Sequence, residues 1–503
     1  MPRSALAPAV LILLLAIIVG VPVLLAPPEP SQTDDGPRLV VLTPHNEQIR
    51  YEFGRRFNRW RVEQGRSPVQ FDWRTSGGTS DLRRTVMDQF RVKIRDGRED
   101  EGIGCDLFFG GGDYEHGLLA RGLSTERDGA SVSISLSVAA HIPEGFLEEA
   151  YGGTVIGSEP LYDKEHRWLG VALSSFGIVY NRDVHRRLGL DEPRTWSDLV
   201  DRRYAHWVAL ADPAHSGSIG ATYNAILRHL GWDEGWRVLR RVFANARYFT
   251  SSAGKVPVDV SAGEAAAGMC IDFYGRFQAG AIGGDRIGYV DPAYSTAITA
   301  DPISILRGAP NREVANEFVL WLLSIDAQQL WQRRKGSEDG PERFELRRLP
   351  IRRDVYTVER MKTWTDRTNP YDVAASFPAG MPNFYRTVAP VSHALAIDIH
   401  ADLRRAWEAI GRESDPARRA AMEAEFDAMP EDLRIPWPDD AMRRDWKQML
   451  SDPDHARHHE TAAVLAQFMS HLKTILKDPE LRVAKRLEWT GFFRARYRSI
   501  ASR

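Results

Sequence analysis

Between residues 38 and 112, short apolar runs alternate with amphipathic stretches. Three of the runs have the pattern of strands, namely RLVVLTPH (38–45), VQFDWRTS (69–76) and CDLFFGGG (105–112). Apolar residues at helical spacing fill 49–62, and SGGTSDLRRTVMDQF (76–90) begins another helix after a turn of small residues. Strands that alternate with helices predict βαβ units and a parallel sheet.

The same alternation returns after residue 168. Strands are predicted in WLGVALSSFGIVYN (168–181), HWVALADP (206–213), AAAGMCIDFY (265–274) and ADPISIL (300–306). Amphipathic helices are predicted after residue 216 and over 311–334. The pattern therefore predicts two α/β lobes, with the chain leaving the first lobe near residue 168 and returning to it near residue 300.

The N-terminus has a long apolar segment. MPRSALAPAVLILLLAIIVGVPVLLAPPEP contains Arg3 and then no charge from Ser4 to Pro28, and its apolar core, 7–26, has the length of about 20 residues that spans a bilayer. Two prolines follow the small-residue site where a peptidase would cut, which favours an uncleaved signal anchor over a cleaved signal peptide. Both interpretations predict export of the rest of the chain, and the first predicts tethering to the inner membrane.

Composition and missing motifs narrow the function. The formal net charge of -2 argues against nucleic acid as a partner. Cys105 and Cys270 lie in apolar, strand-like runs and are predicted to be buried free thiols. We find no phosphate-binding loop, dinucleotide fingerprint, G-x-S-x-G turn or H-E-x-x-H pair, so the sequence predicts no enzyme.

Turns of small residues follow three predicted strands, at 75–80, 110–112 and 216–218. Such turns aim backbone N–H groups and the positive end of a helix dipole at a ligand, so they can hold an anion without a formal positive charge. Helix capping alone explains each turn equally well, but their placement after successive strands favours a shared site. Ser174 and Ser175 in the crossing strand are further candidates.

Four segments in the same order carry a family resemblance. They are GIVYNRDVHRRLGLDEPRTWSDLVD (177–201), LADPAHSGS (210–218), GEAAAGMCIDFY (263–274) and ISILRGAPNREVANEFVLWLLSIDAQQL (303–330). Together they resemble periplasmic solute-binding proteins of ABC importers, in the branch that includes the ferric-iron-binding proteins, over residues 38 to about 356. The resemblance implies a two-lobed type II periplasmic-binding-protein fold, in which two βαβ lobes joined by crossing hinge strands close over a ligand.

The resemblance also implies a metal site, but this chain departs from its pattern. His45 matches the histidine that follows the first strand, whereas the tyrosine pair has become Phe273-Tyr274, and a glycine stands near the expected glutamate, before Asp113. The sequence therefore leaves two interpretations open: a metal site formed by His45, Asp113 and Tyr274, or a site that binds a small oxyanion or a molecule with an anionic group. No cofactor is predicted. The candidate ligand-binding residues are Thr75, Ser76, Gly77, Gly78, Thr79, Gly110, Gly111, Ser174, Ser175, Ser216, Gly217, Ser218, Asp272 and Tyr274.

The chain divides into five predicted parts: an anchor or signal peptide with its linker (1–37), the first lobe (38–167), the second lobe with hinge strands (168–299), a return to the first lobe (300–394) and a C-terminal helical extension (395–503). In the extension, helices are predicted near 395–411, 415–428, 439–450, 453–476 and 479–500. Asp415, Asp452 and Asp478 each precede a proline and are predicted N-caps.

The resemblance implies an extracytoplasmic protein that captures a small ligand and delivers it to an ABC permease with its ATPase. The alternative is a membrane-anchored ligand sensor or assembly protein that reuses this fold, with the helical extension as its output or docking element. A neighbouring permease gene would favour import over sensing.

Overall fold

The computed structural model of the chain describes residues 36–75, 77–127, 129–292, 295–374, 376–378 and 380–503. The apolar segment predicted to be a signal anchor and the candidate residue Ser76 lie outside these ranges. Among the helices within them, none combines the length and apolar character needed to cross a membrane.

The strands form two main sheets and two small hairpins. The described strands are β1 (Arg38–Leu42), β2 (Gln70–Arg74), β3 (Leu107–Phe109), β4 (Leu123–Arg127), β5 (Ala130–Ile134), β6 (Ser137–Val138), β7 (Val155–Ile156), β8 (Glu159–Pro160), β9 (Leu169–Ser174), β10 (Phe176–Asn181), β11 (Val208–Ala211), β12 (Ala246–Thr250), β13 (Ala267–Ile271), β14 (Ile287–Val290) and β15 (Thr299–Leu306).

Helices cover both sheets and make up most of the C-terminal part. The described helices are α1 (Glu47–Glu63), α2 (Thr79–Arg95), α3 (Asp113–Arg121), α4 (Phe146–Tyr151), α5 (Arg182–Leu188), α6 (Gly217–Leu230), α7 (Trp232–Ala244), α8 (Lys255–Ala262), α9 (Asp272–Ile282), α10 (Arg312–Leu322), α11 (Ile325–Leu330), α12 (Val358–Met361), α13 (Pro370–Val373), α14 (Tyr385–Leu395), α15 (His400–Arg412), α16 (Pro416–Asp427), α17 (Asp440–Ser451), α18 (His458–Lys477) and α19 (Pro479–Ala501).

The first lobe is built on a sheet of order β2-β1-β3-β15-β6, with β9 also paired to β15. β1 is parallel to β2 and β3, whereas β15 is antiparallel to β3, β6 and β9. Aromatic side chains join the two helices α1 and α10 of this lobe. Phe57 of α1 lies 4.9 Å from Phe318 and 5.2 Å from Trp321 of α10, measured between ring centroids. The chain thus returns to the first lobe to form β15 only after the strands of the second lobe are complete.

The second lobe has a sheet of order β12-β11-β13-β10-β14. β11 is parallel to β12 and β13, and β10 is antiparallel to β13 and β14. Ser175 separates β9 of the first sheet from β10 of the second, and β15 carries the chain back. These crossings confirm the predicted two-lobed α/β fold with hinge strands.

The C-terminal helices pack against the second lobe. Helix α14 contacts α6, α15 contacts α7, and α19 contacts both α14 and α15. Trp232 Nε1 of α7 donates a hydrogen bond to the carbonyl of Leu433 at 2.7 Å, and Arg241 pairs with Asp427 at 2.6 Å. The extension is therefore joined to the second lobe by both apolar and polar contacts.

Two boundaries in the C-terminal part differ from those predicted. Asp415 and Asp478 cap helices as expected, but Asp452 does not, because its carboxylate accepts from the N–H of Asp454 in a turn and the next helix begins at His458. Helix α14, which the sequence assigns to the segment returning to the first lobe, packs on the second lobe instead. The buried side chain of Phe384 explains this placement, since it lies 5.1 Å from Trp232.

Both cysteines are free and buried, as predicted. Cys105 lies just before β3 in the first lobe and Cys270 lies in β13 of the second. Neither thiol therefore restrains the movement of one lobe relative to the other.

Candidate functional site

A cavity of about 360 Å³ lies between the two lobes. The first lobe contributes the segments around His45, Gly78 and Asp113, and the second contributes those around Ser216 and Tyr274. Asn383 and Tyr385, at the start of the C-terminal helical part, complete the wall. This volume falls within the range of about 300–1,000 Å³ that is usual for small-molecule sites.

Five helices begin at residues that line this cavity. Their N-cap positions are Gly78 for α2, Gly112 for α3, Ser216 for α6, Gly254 for α8 and Ile271 for α9. The first four N–H groups of a helix have no partner within it, and each helix dipole is positive at this end. Four of the five N-caps form no side-chain cap hydrogen bond, the exception being Ser216. The arrangement favours a negatively charged ligand.

The turn at Ser216 explains how the sequence builds one of these sites. The four residues of β11 before it are fully buried, and Asp212 then turns the chain by accepting from the N–H of Ala214 at 2.7 Å. Ser216 Oγ accepts from the N–H of Ile219 at 3.4 Å and lies 3.0 Å from Ser218 Oγ. This cap leaves the N–H groups of Gly217 and Ser218 at the cavity wall.

The two lobes approach each other closely at Gly78. A Cβ atom built on Gly78 would lie 2.4 Å from the carbonyl oxygen of His215 in the second lobe. Arg84 of α2 also donates to the carbonyl of Ala214 at 3.3 Å. The structure therefore has the lobes closed over the cavity, and the absence of a side chain at Gly78 permits that closure.

Carboxyl groups form part of the cavity wall. Burial, together with the charges of Glu159 and Glu115, raises the pKa of Asp113 to about 7. Glu159 forms an ion pair with Arg228, which is the only Arg or Lys among the described residues that line the cavity. These carboxyl groups suit the hydroxyl or ammonium groups of a ligand, because such groups donate hydrogen bonds.

A buried ion pair contributes one of its members, Asp301, to the cavity lining. Arg348 pairs with Asp301, and the side chains of both residues are at most 3% exposed. Its guanidinium also donates to Ser174 Oγ at 2.6 Å and lies 3.0 Å from His45 Nε2. His45 Nε2 is 3.0 Å from Asp301 as well, so it either donates to the carboxylate or accepts from the guanidinium. Burial and then the charge of Arg348 lower the pKa of His45, which keeps the imidazole neutral.

Tyr274 and Asp272 are neighbours in sequence but occupy different positions. Tyr274 lines the cavity, and burial raises the pKa of its hydroxyl despite the opposing charge of Arg348. Asp272 is fully buried outside the lining, and neither carboxylate oxygen has a hydrogen-bond partner among the described residues. Burial raises the pKa of Asp272 to about 6, against the charge of Arg276.

The structure brings most of the predicted candidates to one cavity. Those that line it are Gly77, Gly78, Thr79, Gly111, Ser174, Ser216, Gly217, Ser218 and Tyr274, together with His45 and Asp113. Four candidates lie outside the lining, namely Thr75, Gly110, Ser175 and Asp272. Strand alternation accounts for Ser175, which turns away from the side of Ser174 and donates to Asp291 at 2.7 Å.

The geometry gives the metal interpretation little support. His45, Asp113 and Tyr274 all line the cavity, but His45 Nε2 is occupied by its contacts with Asp301 and Arg348, and Nδ1 is buried without a hydrogen-bond partner among the described residues. Within the described ranges, His, Cys, Asp and Glu form no group of three that could hold a metal ion. The five helix N-termini at the cavity therefore favour the anion interpretation over the metal interpretation.

Sequence reasoning missed several residues of the site, among them Arg228, Arg348 and Tyr385. Arg348 stands in LRRLPIRR among several arginines, of which Arg352 is also buried, and nothing in that pattern distinguishes Arg348. Tyr385 ends the aromatic, loop-rich segment 363–385, whose composition was the single available signal. Both reach the site through contacts with residues distant in sequence.

Comparison with known proteins identifies the same kind of fold. Residues 148–342 match the family model described as bacterial extracellular solute-binding protein. An uncharacterized protein of Haemophilus influenzae is 27% identical over 203 residues, which cover 38% of this chain and 58% of that protein. The phosphoglycerate transport regulatory protein PgtC of Salmonella typhimurium is 24% identical over 32% of this chain and 40% of its own length. The chain thus spans about half the length of these curated relatives.

Among solved structures, the periplasmic binding protein AfuA of Actinobacillus pleuropneumoniae, with exogenous fructose-6-phosphate bound, superposes with a TM-score of 0.50. The superposition covers 74% of this chain and 97% of AfuA at 14% sequence identity. At that identity the likeness concerns the fold.

Proposed function

We propose that this chain captures a small organic anion between its lobes and delivers it to the permease of an ABC importer. The match of residues 148–342 to the family model described as bacterial extracellular solute-binding protein supports this proposal. The observation that carries this proposal is the set of five helix N-termini around one closed cavity. The cationic side chain of Arg228 is already paired with Glu159. The stabilisation of an anion here is therefore assigned to the backbone N–H groups and dipoles of the helix N-termini.

The carboxyl groups of the cavity wall favour an organic ligand over a bare oxyanion. Asp113, Glu115 and Glu159 would repel a second negative charge, but they can accept hydrogen bonds from hydroxyl or ammonium groups. A molecule that carries both an anionic group and such donors matches both the helix N-termini and the carboxyl groups of the site. The names of PgtC and of the AfuA complex refer to phosphorylated organic compounds, which have this chemistry.

A thermal-shift panel tests the proposal. It compares fructose 6-phosphate, 3-phosphoglycerate, inorganic phosphate, sulfate and ferric citrate on the wild type. A ligand at about 100 times its dissociation constant stabilises the native state by about 2.7 kcal/mol, which is a rise of several degrees. We expect the organic phosphates to give larger shifts than inorganic phosphate or sulfate. A shift with ferric citrate alone would replace this proposal with metal binding.

Gly217→Asp and Gly217→Ala form a matched pair for the same assay. A Cβ at Gly217 would lie 3.3 Å from Tyr385 Oη and 3.4 Å from Glu115 Oε1, so a methyl group needs only a small adjustment. Aspartate adds a negative charge beside Glu115 and at the N-terminus of α6, where the anion would bind. We therefore expect Gly217→Asp to abolish the ligand shift and Gly217→Ala to retain most of it. Equal shifts in the two variants would place the binding site elsewhere.

A ligand sensor remains a second candidate, because the C-terminal helical part contacts the cavity directly through Tyr385. PgtC is itself named a transport regulatory protein. Ligand uptake by cells distinguishes the two functions: deletion of an importer subunit abolishes uptake, whereas deletion of a sensor changes expression and leaves the transport step intact.

A further inference from the structure

Asn383 and Tyr385 enter the cleft from a part of the chain that the family match, which ends at residue 342, does not cover. We infer that the C-terminal helical part is a latch that completes the ligand cleft and holds the lobes closed, with the Tyr385 hydroxyl as its contact across the cleft. The inference rests on the proposed capture of a ligand between the lobes, and it assigns a role within that site to the C-terminal helical part, which begins with α14.

The latch is anchored on the second lobe. The N–H of Phe384 donates to Asn224 Oδ1 of α6 at 2.9 Å, and the Phe384 side chain is fully buried. The ring of Tyr385 packs over Gly220, where an added Cβ would come within 3.1 Å of it. His393, at the far end of α14, contacts Asp212 at 3.1 Å. These contacts make Tyr385 move with the second lobe when the hinge opens.

The other side of Tyr385 contacts the first lobe. Its hydroxyl donates to Glu115 Oε1 of α3 at 3.0 Å, and its ring lies 4.3 Å from that of Tyr114. The same Glu115 oxygen accepts from Ser80 Oγ at 3.1 Å. Opening the cleft would break the contacts with Glu115 and Tyr114 while leaving those with α6.

A second acceptor gives the hydroxyl a partner in the open state. The carbonyl oxygen of Gly217, on the second lobe itself, lies 3.2 Å from Tyr385 Oη. A phenol has one proton, so it can donate to Glu115 in the closed form and to Gly217 in the open one. Glu115 is only 1% exposed, and its side-chain hydrogen bonds from described residues come from the hydroxyls of Ser80 and Tyr385. Tyr385 therefore supplies one of the two side-chain hydrogen bonds to this buried carboxyl when the cleft is closed.

Pulsed electron spin resonance on the full chain measures the latch without any ligand. Spin labels at Arg91→Cys in the first lobe and Arg186→Cys in the second report the distance between lobes, because both sites are exposed and the native cysteines are buried. We expect Tyr385→Phe to lower the ratio of closed to open molecules by about two- to tenfold, the effect of one hydrogen bond. Tyr497→Phe is the matched control, since that hydroxyl donates to the carbonyl of Leu395 within the extension at 3.0 Å, and we expect it to leave the ratio unchanged.

An unchanged ratio in Tyr385→Phe, an equal change in both variants, or a wild-type protein with no closed molecules would overturn the latch. Addition of 10 mM fructose 6-phosphate tests the capture proposal separately, because that proposal predicts further closure by the probe. If the probe has no effect, that ligand is rejected while the ligand-free ratio still decides the role of Tyr385.

Discussion

Replacement of Gly78 by alanine places one methyl group where the two lobes meet. The backbone of Gly78, with φ of -81° and ψ of 173°, is equally accessible to alanine, so the change adds no strain to the first lobe itself. The new Cβ would lie 2.4 Å from the carbonyl oxygen of His215, whereas a relaxed contact needs about 3.4 Å. The lobes must therefore stay about 1 Å farther apart at this point.

The size of the effect follows from the contacts that this separation breaks. An increase of about 1 Å takes the hydrogen bond from Tyr385 to Glu115 and the one from Arg84 to Ala214, which measure 3.0 and 3.3 Å, beyond bonding distance. Each is worth about 0.5–1.5 kcal/mol, and the exposed one belongs at the lower end. We expect the closed form to lose about 1–2 kcal/mol, or a factor of about 5 to 30 in its population.

The same spin-label pair measures this population. Gly112→Ala is the matched control, because Gly112 is also an N-cap glycine at the cavity and its Cβ would meet nothing closer than Glu115 Oε2 at 3.7 Å. Gly78→Ala should open the cleft and Gly112→Ala should not, and neither should lower the unfolding temperature by more than a few degrees. An equal loss of closed molecules in both variants would refute the argument from lobe contact.

Three further predictions concern buried charges. Arg348→Met leaves Asp301 buried without its cation and should lower the free energy of unfolding by about 3–5 kcal/mol at pH 7. The double variant with Asp301→Asn should lose clearly less stability than Arg348→Met alone. A loss in the double variant equal to the sum of the two single losses would contradict the ion pair. Asp272→Asn should stabilise the protein more at pH 8 than at pH 4. The pKa of Asp272 in the folded protein, about 6, lies above its unfolded value, so the stability of the wild type falls as pH rises from the unfolded pKa to the folded one. Denaturant melts of both proteins at the two pH values measure this difference. Burial lowers the pKa of His393, but hydrogen bonds to Asp212 and Asp398 raise it overall. The contribution of His393 to folding stability is therefore complete below about pH 6.5 and disappears as pH rises through the folded pKa. The stability lost in His393→Gln should become smaller as pH rises through this range, and a loss that does not change with pH would contradict the prediction.

Local patterns were sufficient to predict the fold and much of the cavity. The apolar strand β11, the turn at Ser216 and the amphipathic α6 are each specified by neighbouring residues, so the sequence locates the turn at the end of a strand. Several such turns lie at the same cavity because the carboxyl ends of neighbouring parallel strands share one edge of a sheet. These local patterns do not determine which of two neighbouring residues faces the cavity, since Ser174 lines it and Ser175 does not.

Long-range contacts account for what the sequence did not predict. Arg348 reaches Asp301 and Ser174 only after the chain has returned from the second lobe, and sequence spacing contains no trace of that pairing. Tyr385 reaches Glu115 and Gly220 because α14 packs on α6, which no periodicity predicts. Both residues depend on tertiary placement rather than on a local motif.

Native mass spectrometry of the protein purified from its own cells tests the central claim most directly, because it requires no choice of ligand. The account predicts an added mass of one small organic anion per chain in the wild type and in Gly217→Ala, and its loss in Gly217→Asp. An added mass equal to iron, a mass that Gly217→Asp retains, or a wild-type protein without any bound molecule would contradict the claim.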